Sequence, residues 1–270
     1  MMRSLWTAAS GMITQQTNVD VIANNISNIN TTAFKRETPQ FKTLLYQTIQ
    51  DESTDREGMT KPLGVQVGLG VRNSAIRSEF TQGMLIETGN DLDLALEGKG
   101  FFMIQQADGQ TAYTRNGSFG ISMGNDGSTL VNSEGQPVLD INGAPIIFGN
   151  NLSTDNITID TNGNIIYDDG MGNYQQLFKI GVAQFNNPAG LHKISNSLLL
   201  ETENSGEARI EAFDDDLVGS NVISRYLEGS NVDAANEMVD LIVAQRAYEM
   251  NSKAIQASDE MLQLANNLRR

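Results

Sequence analysis

No cysteine occurs in the 270 residues. Disulfides, thiolate nucleophiles and sulfur-ligated metals are thereby removed together, and the chain tolerates any redox compartment without identifying one. Basic side chains are also few, 18 Lys and Arg against 33 Asp and Glu, for a formal net charge of −15. That balance argues against nucleic acid and anionic membrane surfaces as partners. The first fifty residues are an exception, with four basic side chains against two acidic, so the acidity belongs to the middle and the C-terminal region. No run approaches the roughly 18 apolar residues of a membrane span, and no direct membrane insertion is expected. The stretch after Arg3 is interrupted by Ser4, Thr7, Ser10, Thr14, Gln15 and Gln16, so no secretory signal core is expected either. Export, if it occurs, would use a route without a cleaved signal.

Candidates for chemistry are equally sparse. His192 is the sole histidine and has no Ser or Asp partner in a recognisable catalytic motif. Lys99, in Gly98-Lys99-Gly100, lacks the spacing of a phosphate loop. Asp214, Asp215 and Asp216 suggest calcium ligands, but no Gly or Glu follows at the spacing of a calcium loop. Asp160 to Asn164 resembles such a loop only loosely and reads as well as a hairpin turn. No metal, no cofactor and no enzymatic activity is expected.

What the chain does have is two long helical patterns at its ends. Residues 230–270 contain no Gly or Pro. Ser230 and Asp233 have the spacing of a capping box, after which Leu241, Tyr248, Ile255 and Leu262 recur every seven residues. Ala247, Ala254, Met261 and Leu268 run one position earlier in each heptad, and the small residues Ala244, Ser258 and Ala265 would admit a close neighbour. At the other end Met2, Leu5, Ala9, Met12, Gln16, Val19, Ala23 and Ile26 follow the three-four spacing of a coiled-coil seam. Gly11 weakens that helix by about 1 kcal/mol, and Gln16 is a polar interruption of the kind that fixes register. The plainer reading is an amphipathic pair packed on the central domain. The sharper one is a pair of terminal helices that pack against other copies of the chain, frayed in a monomer and ordered on assembly.

Between the helices the pattern changes. The first helix is expected to stop near Asn28, in a run of turn formers. Thr43 to Ile49 suits a strand or short helix, and Val65, Val67, Leu69 and Val71 alternate in strand fashion. From Arg77 to about Leu227 the period is two. Asn125-Asp126-Gly127, Glu134-Gly135 and Thr161-Asn162-Gly163-Asn164 act as hairpin signals there. The expected fold class is α+β: a mainly antiparallel β central domain, with long N- and C-terminal helices forming a coiled-coil-like helical domain discontinuous in sequence. The expected parts are residues 1–36, a helix and turn pairing with 230–270; 37–76, an extended segment; 77–228, the β domain; and 229–270, the C-terminal helix.

Ala23 to Lys35, ANNISNINTTAFK, resembles the N-terminal signature of the axial proteins of the bacterial flagellar rod and hook, in Asn24, Asn25, Asn28, Asn30, Thr31, Thr32, Phe34 and Lys35. Ala33 departs from it, since the family usually has Gly there and Ala pays for a positive φ that Gly adopts freely. Phe41 to Arg72 resembles the segment that marks the distal-rod branch. Thr88 to Phe102, Ala112 to Phe119 (AYTRNGSF), Phe185 to Leu191 (FNNPAGL) and Ala244 to Ala254 (AQRAYEMNSKA) resemble further family motifs in the same order. The resemblance implies a structural subunit of the distal rod in the periplasm-spanning basal body. It further implies self-assembly into a stiff helical tube that transmits motor torque to the hook and forms part of the export channel of a type III system. The implied partners are copies of the chain, proximal rod proteins, the hook protein and the surrounding ring that serves as bushing. The implied role of 37–76 is to bridge subunits. Alternatives are a proximal rod or hook protein of the same family or, from another class, a periplasmic glycan-binding β module. Trp6 as the lone tryptophan is a poor start for a sugar platform.

Overall fold

The side-chain amides of Asn24, Asn25 and Asn28 compete with helical backbone bonding, and the first helix ends where they cluster. In the computed structural model, which describes residues 2–50, 64–124, 127–148, 157–168, 174–195, 197–214 and 216–267, helix α1 spans Met2–Ser27. Strands β1 (Glu37–Thr43), β2 (Tyr46–Gln50), β3 (Val65–Gly68) and β4 (Val71–Ser78) follow. The long helix α2, Ala234–Asn267, ends the described chain. Its 34 residues are about 51 Å long at 1.5 Å per residue. The expected Ser230–Asp233 capping box is corrected. Asp233 is itself the cap, with Oδ1 accepting from the N–H groups of Ala235 (2.9 Å) and Asn236 (3.4 Å). Ser230 instead accepts from the Val232 N–H in the turn before it.

The chain divides into two compact units. Unit 1 comprises Met1–Ser27, Glu37–Ser78 and Asp233–Arg270, so it is discontinuous in sequence. In it α1 and α2 pack on each other within the single chain. β1 pairs with β4 and β2 with β3, both antiparallel, with Leu44 N–H bonding Gly70 O and Leu69 N–H bonding Leu45 O between them. The result is one two-stranded ribbon, so Thr43 to Ile49 is strand rather than helix. Residues 51–63 lie outside the described residues. The Ser10 hydroxyl accepts from Val71 N–H, and Asn73 Nδ2 donates to Thr17 Oγ1 at 2.7 Å, holding the ribbon on α1. Gly70, at φ +122°, lies so close to Ser10 that a Cβ there would collide with its hydroxyl.

Unit 2 comprises Asn28–Arg36 and Glu79–Val232. The largest sheet has six antiparallel strands, ordered 192–193, 199–200, 111–114, 101–105, 182–184 and 209–210. Phe101 to Ile104 is apolar without alternation because both of its faces are covered. Phe102 and Ile104 join one core cluster with Leu94, Leu96, Leu130 and Ile165. Phe101 and Met103 join a second with Tyr113, Phe185 and Leu199, where Phe101 and Tyr113 meet Phe185 edge-on. Strand 119–124 pairs with 127–132, and 157–159 with 164–168. The turn of the second hairpin contains Asp160 to Asn164, with Gly163 N–H bonding Asp160 O. Residues 125–126 lie outside the described residues.

Residues 28–36, expected to belong with the first helix, fold with unit 2. Ala33 adopts φ +58° and donates its N–H to Glu228 O at 2.7 Å, so the conformation expected only of Gly is held by Ala. The left-handed region costs a non-Gly residue about 1–2 kcal/mol, while Gly adds about 0.4–1 kcal/mol of unfolded-state entropy. Ala33→Gly is therefore expected to raise stability, by about 0.5–1 kcal/mol. Urea denaturation of both chains checks this, and a lower midpoint for the variant would contradict it.

Candidate assembly surface

Glu228 is buried, about 1% exposed. Its Oε1 accepts from Lys35 Nζ at 2.6 Å and from Gly83 N–H at 2.9 Å, and its Oε2 accepts from Arg115 Nε at 2.8 Å. Lys35 also donates to Thr81 O, and Arg115 to Gln82 Oε1, Leu96 O and Gly98 O. Three segments far apart in sequence thus meet on one carboxylate, and both of its oxygens accept hydrogen bonds. Burial drives the pKa of Lys35 below 10.5; the charge of Arg115 acts the same way and Glu228 opposes both. Tyr113 is pushed up to about 12 by burial and the nearby charge of Glu201.

In unit 1 the helices meet through small and polar groups. Ser4 and Ser258 hydroxyls lie 3.2 Å apart, and the Asn25 amide donates to Glu237 Oε2 at 3.1 Å. Gly11 faces Asn251 so closely that a Cβ at Gly11 would lie 2.8 Å from its amide nitrogen. These three pairs run in opposite order along the two helices, so the pair is antiparallel. Asn25 also bonds both the N–H and the C=O of Glu37, as a neighbouring strand would.

The apolar rows expected as assembly seams lie largely outside these contacts. On α1 the buried residues are Ala8, Thr14, Val21, Ile22 and Asn25. Leu5, Ala9, Met12, Val19 and Ile26 are half-buried, and Gln16 and Ala23 are exposed. On α2, Leu241, Ala247, Ile255 and Leu262 are half-buried, whereas Tyr248, Ala254 and Met261 are exposed; Leu268 lies outside the described residues. The arrangement has a physical cause. Small residues allow backbones to approach, so Ala244 and Ser258 are buried and the larger side chains are displaced to the margins. An open groove lined by Gln16, Val19, Gln245, Tyr248 and Glu249 runs along one such margin.

A second apolar stripe lies on α2 roughly 130° around its axis from the α1 contact, at 100° per residue. Val239, Val243, Met250, Ala254, Ala257, Met261 and Leu264 compose it, and all are exposed. Val243, Met250 and Leu264 show 61%, 65% and 64% of their surface. The ribbon also exposes Leu45, Tyr46 and Ile49. Such area on one element marks a surface that is covered in use.

Three family models match in chain order: "Flagella basal body rod protein" over residues 5–35, "Flagellar hook protein FlgE/F/G D1 domain" over 95–167, and "Flagellar basal body rod FlgEFG protein C-terminal" over 223–268. The chain is 45% identical to the flagellar basal-body rod protein FlgG of Borreliella burgdorferi, over 100% of both chains. It is 44% identical to that of Agrobacterium fabrum, over 98% of both, and 40% identical to that of Bacillus subtilis, over 100% of both. The chain belongs to the flagellar basal-body rod protein family.

Within this rod family match, the signature residues have distinct places. Asn25 and Lys35 are buried in the contacts described above. Asn24 is exposed with its amide 3.4 Å from Glu37 Oε2. Asn28 accepts from the Thr31 hydroxyl, Thr32 donates to Asn116, and Phe34 lies under the Lys193 ammonium. Asn30 is exposed. Arg115 belongs to the AYTRNGSF motif, but nothing in the sequence pairs it with Glu228. Of the groups weighed for chemistry, Asp214 pairs with Arg209, His192 and Lys99 are exposed, and Asp215 lies outside the described residues.

Glu228→Gln would leave two buried cations facing a neutral group, and breaking such a pair costs about 3–5 kcal/mol. Calorimetry is expected to show a fall in Tm on the order of 10 °C. For Lys35 the folded pKa is the lower one, so the unfolded state binds more protons between that value and 10.5. Its contribution to stability therefore rises with pH across that window and is constant below it. The difference in stability slope between the wild type and Lys35→Met over alkaline pH measures this; a slope of opposite sign would refute it.

Proposed function

We propose that the chain polymerises through its terminal helices into a stiff helical tube that carries torque along the flagellar axis. As a member of the rod family it is a structural subunit of the distal rod of the basal body, not an enzyme, and it assembles into the axial structure with other rod and hook proteins. The observation that carries the polymer reading is the exposed stripe of α2. The helix already has one face on α1, yet presents a second apolar row spanning residues 239–264. Each such side chain gains about 1.5–3 kcal/mol when covered. In this reading copies of α2 and α1 interdigitate in coiled-coil-like layers around a central export channel, with β units outside. Leu5, Met12 and Val19 on α1 and Tyr248, Ala254 and Met261 on α2, which the chain leaves partly or wholly open, are the assembly contacts. The ribbon bridges neighbours, the proximal rod and hook proteins cap the ends, and a ring surrounds the outer wall. Subunits reach the periplasm through the flagellum's own export route.

A chain carrying Val243→Glu, Met250→Glu and Met261→Glu places three charges on the stripe and touches no α1 contact. It is expected to keep its helical circular dichroism and remain monomeric in sedimentation under conditions that polymerise the wild type. Polymers of unchanged stability would overturn the reading. Deleting residues 40–71 is expected to give curved instead of straight filaments by electron microscopy.

A further inference from the structure

The described strands of the ribbon carry three cations, Lys42, Arg72 and Arg77, against one carboxylate, Glu37. Lys42 stands directly opposite Arg72, and Thr38 opposite Arg77. Side chains alternate along unbulged β1, so Thr38 and Lys42 share a face, and Arg72 and Arg77 share it with them. Phe41 and Asn73 occupy the other face, where Asn73 reaches Thr17 of α1. The cations therefore point away from α1. Lys42, Arg72 and Arg77 are all exposed, and none has a carboxylate partner among the described residues. Like charges directly opposite destabilise a strand pair, and a two-stranded ribbon is marginal by itself. The stripe is a burden on the isolated chain that an anionic partner would relieve.

The composition indicates where that partner is. The residues of unit 2 include 21 Asp and Glu against 8 Lys and Arg. Those of unit 1 are nearly balanced, 12 against 10. On unit 2, Glu201, Glu203 and Glu207 are exposed within seven residues, and none is in an ion pair among the described residues. We infer that the cationic face of the ribbon, Lys42, Arg72 and Arg77, docks on the anionic β unit of a second copy, at the loop bearing Glu201, Glu203 and Glu207. This rests on the polymer reading and deepens it by naming the partner surface. The ribbon's apolar residues then supply area, while the charges select register and speed encounter.

The absence of cysteine makes the test direct, because introduced cysteines meet no native thiol. The full chain is prepared as Arg72→Cys and separately as Glu203→Cys, mixed under polymerising conditions and oxidised. A disulfide between the two chains, absent from unpolymerised mixtures, is expected. In parallel Lys42→Glu, Arg72→Glu and Arg77→Glu are combined. Assembly of this chain is expected to slow on the order of tenfold at low salt and lose its salt dependence. Adding Glu201→Lys, Glu203→Lys and Glu207→Lys to the same chain is expected to restore it. If the reversed chain assembles as fast as the wild type, or faster because the cations merely keep ribbons apart, the docking is wrong while the polymer reading stands. A reversed chain that slows without rescue and gives no disulfide also refutes the docking. No polymer from the wild type at any salt overturns both.

Discussion

The carboxylate of Glu228 joins three parts of the chain that lie far apart in sequence. It faces Lys35 from the loop after α1 and Arg115 from the end of a core strand. A single buried carboxylate with two cations is tolerable only with further hydrogen bonds around it, and here backbone carbonyls at Thr81, Leu96 and Gly98 accept from the two cations. That requirement explains why residues 28–36 and the strand before α2 fold with the β unit. It also explains Ala33, whose strained backbone directs an N–H at the carbonyl of Glu228 itself. A fragment beginning at Arg77 and ending at Leu227 would lack both Lys35 and Glu228 and leave Arg115 buried alone.

The helix pair shows a different economy. Its internal contact uses Ser4, Ala8, Gly11 and Asn25 against Glu237, Ala244, Asn251 and Ser258, groups that bring backbones close and bury little apolar area. The larger apolar side chains are thereby left at the margins and on the far side of α2. A chain that buried them internally would be a more stable monomer with no adhesive surface. The ribbon follows the same logic, with apolar residues and unpaired cations on a two-stranded element that is weak alone.

Much of this was legible. The end of α1 near Asn28, the strand alternation from Val65 to Val71, the hairpin at Asp160 to Asn164 and the meeting of both chain ends all follow from local propensity and period. The choice of helix contact was not. Heptad spacing identifies a stripe, but two stripes one residue apart on α2 share that spacing, and neither says which faces α1. The deciding residues were small or polar, so hydrophobic counting passed over them; Gly11, read as a weakness in the helix, is where Asn251 comes closest. The cap was misread by three residues because both Ser230 and Asp233 are competent caps.

Sequence alone determined the two terminal helices around a mainly antiparallel β middle, the acidic β unit and the family, because each depends on neighbours within a few residues or on composition. Tertiary structure alone decided that Lys35, Arg115 and Glu228 are one cluster, that Ala33 takes a left-handed backbone, and which sides of α1 and α2 remain open. Those outcomes depend on contacts across up to some two hundred residues, where close approach and charge satisfaction outweigh local preference.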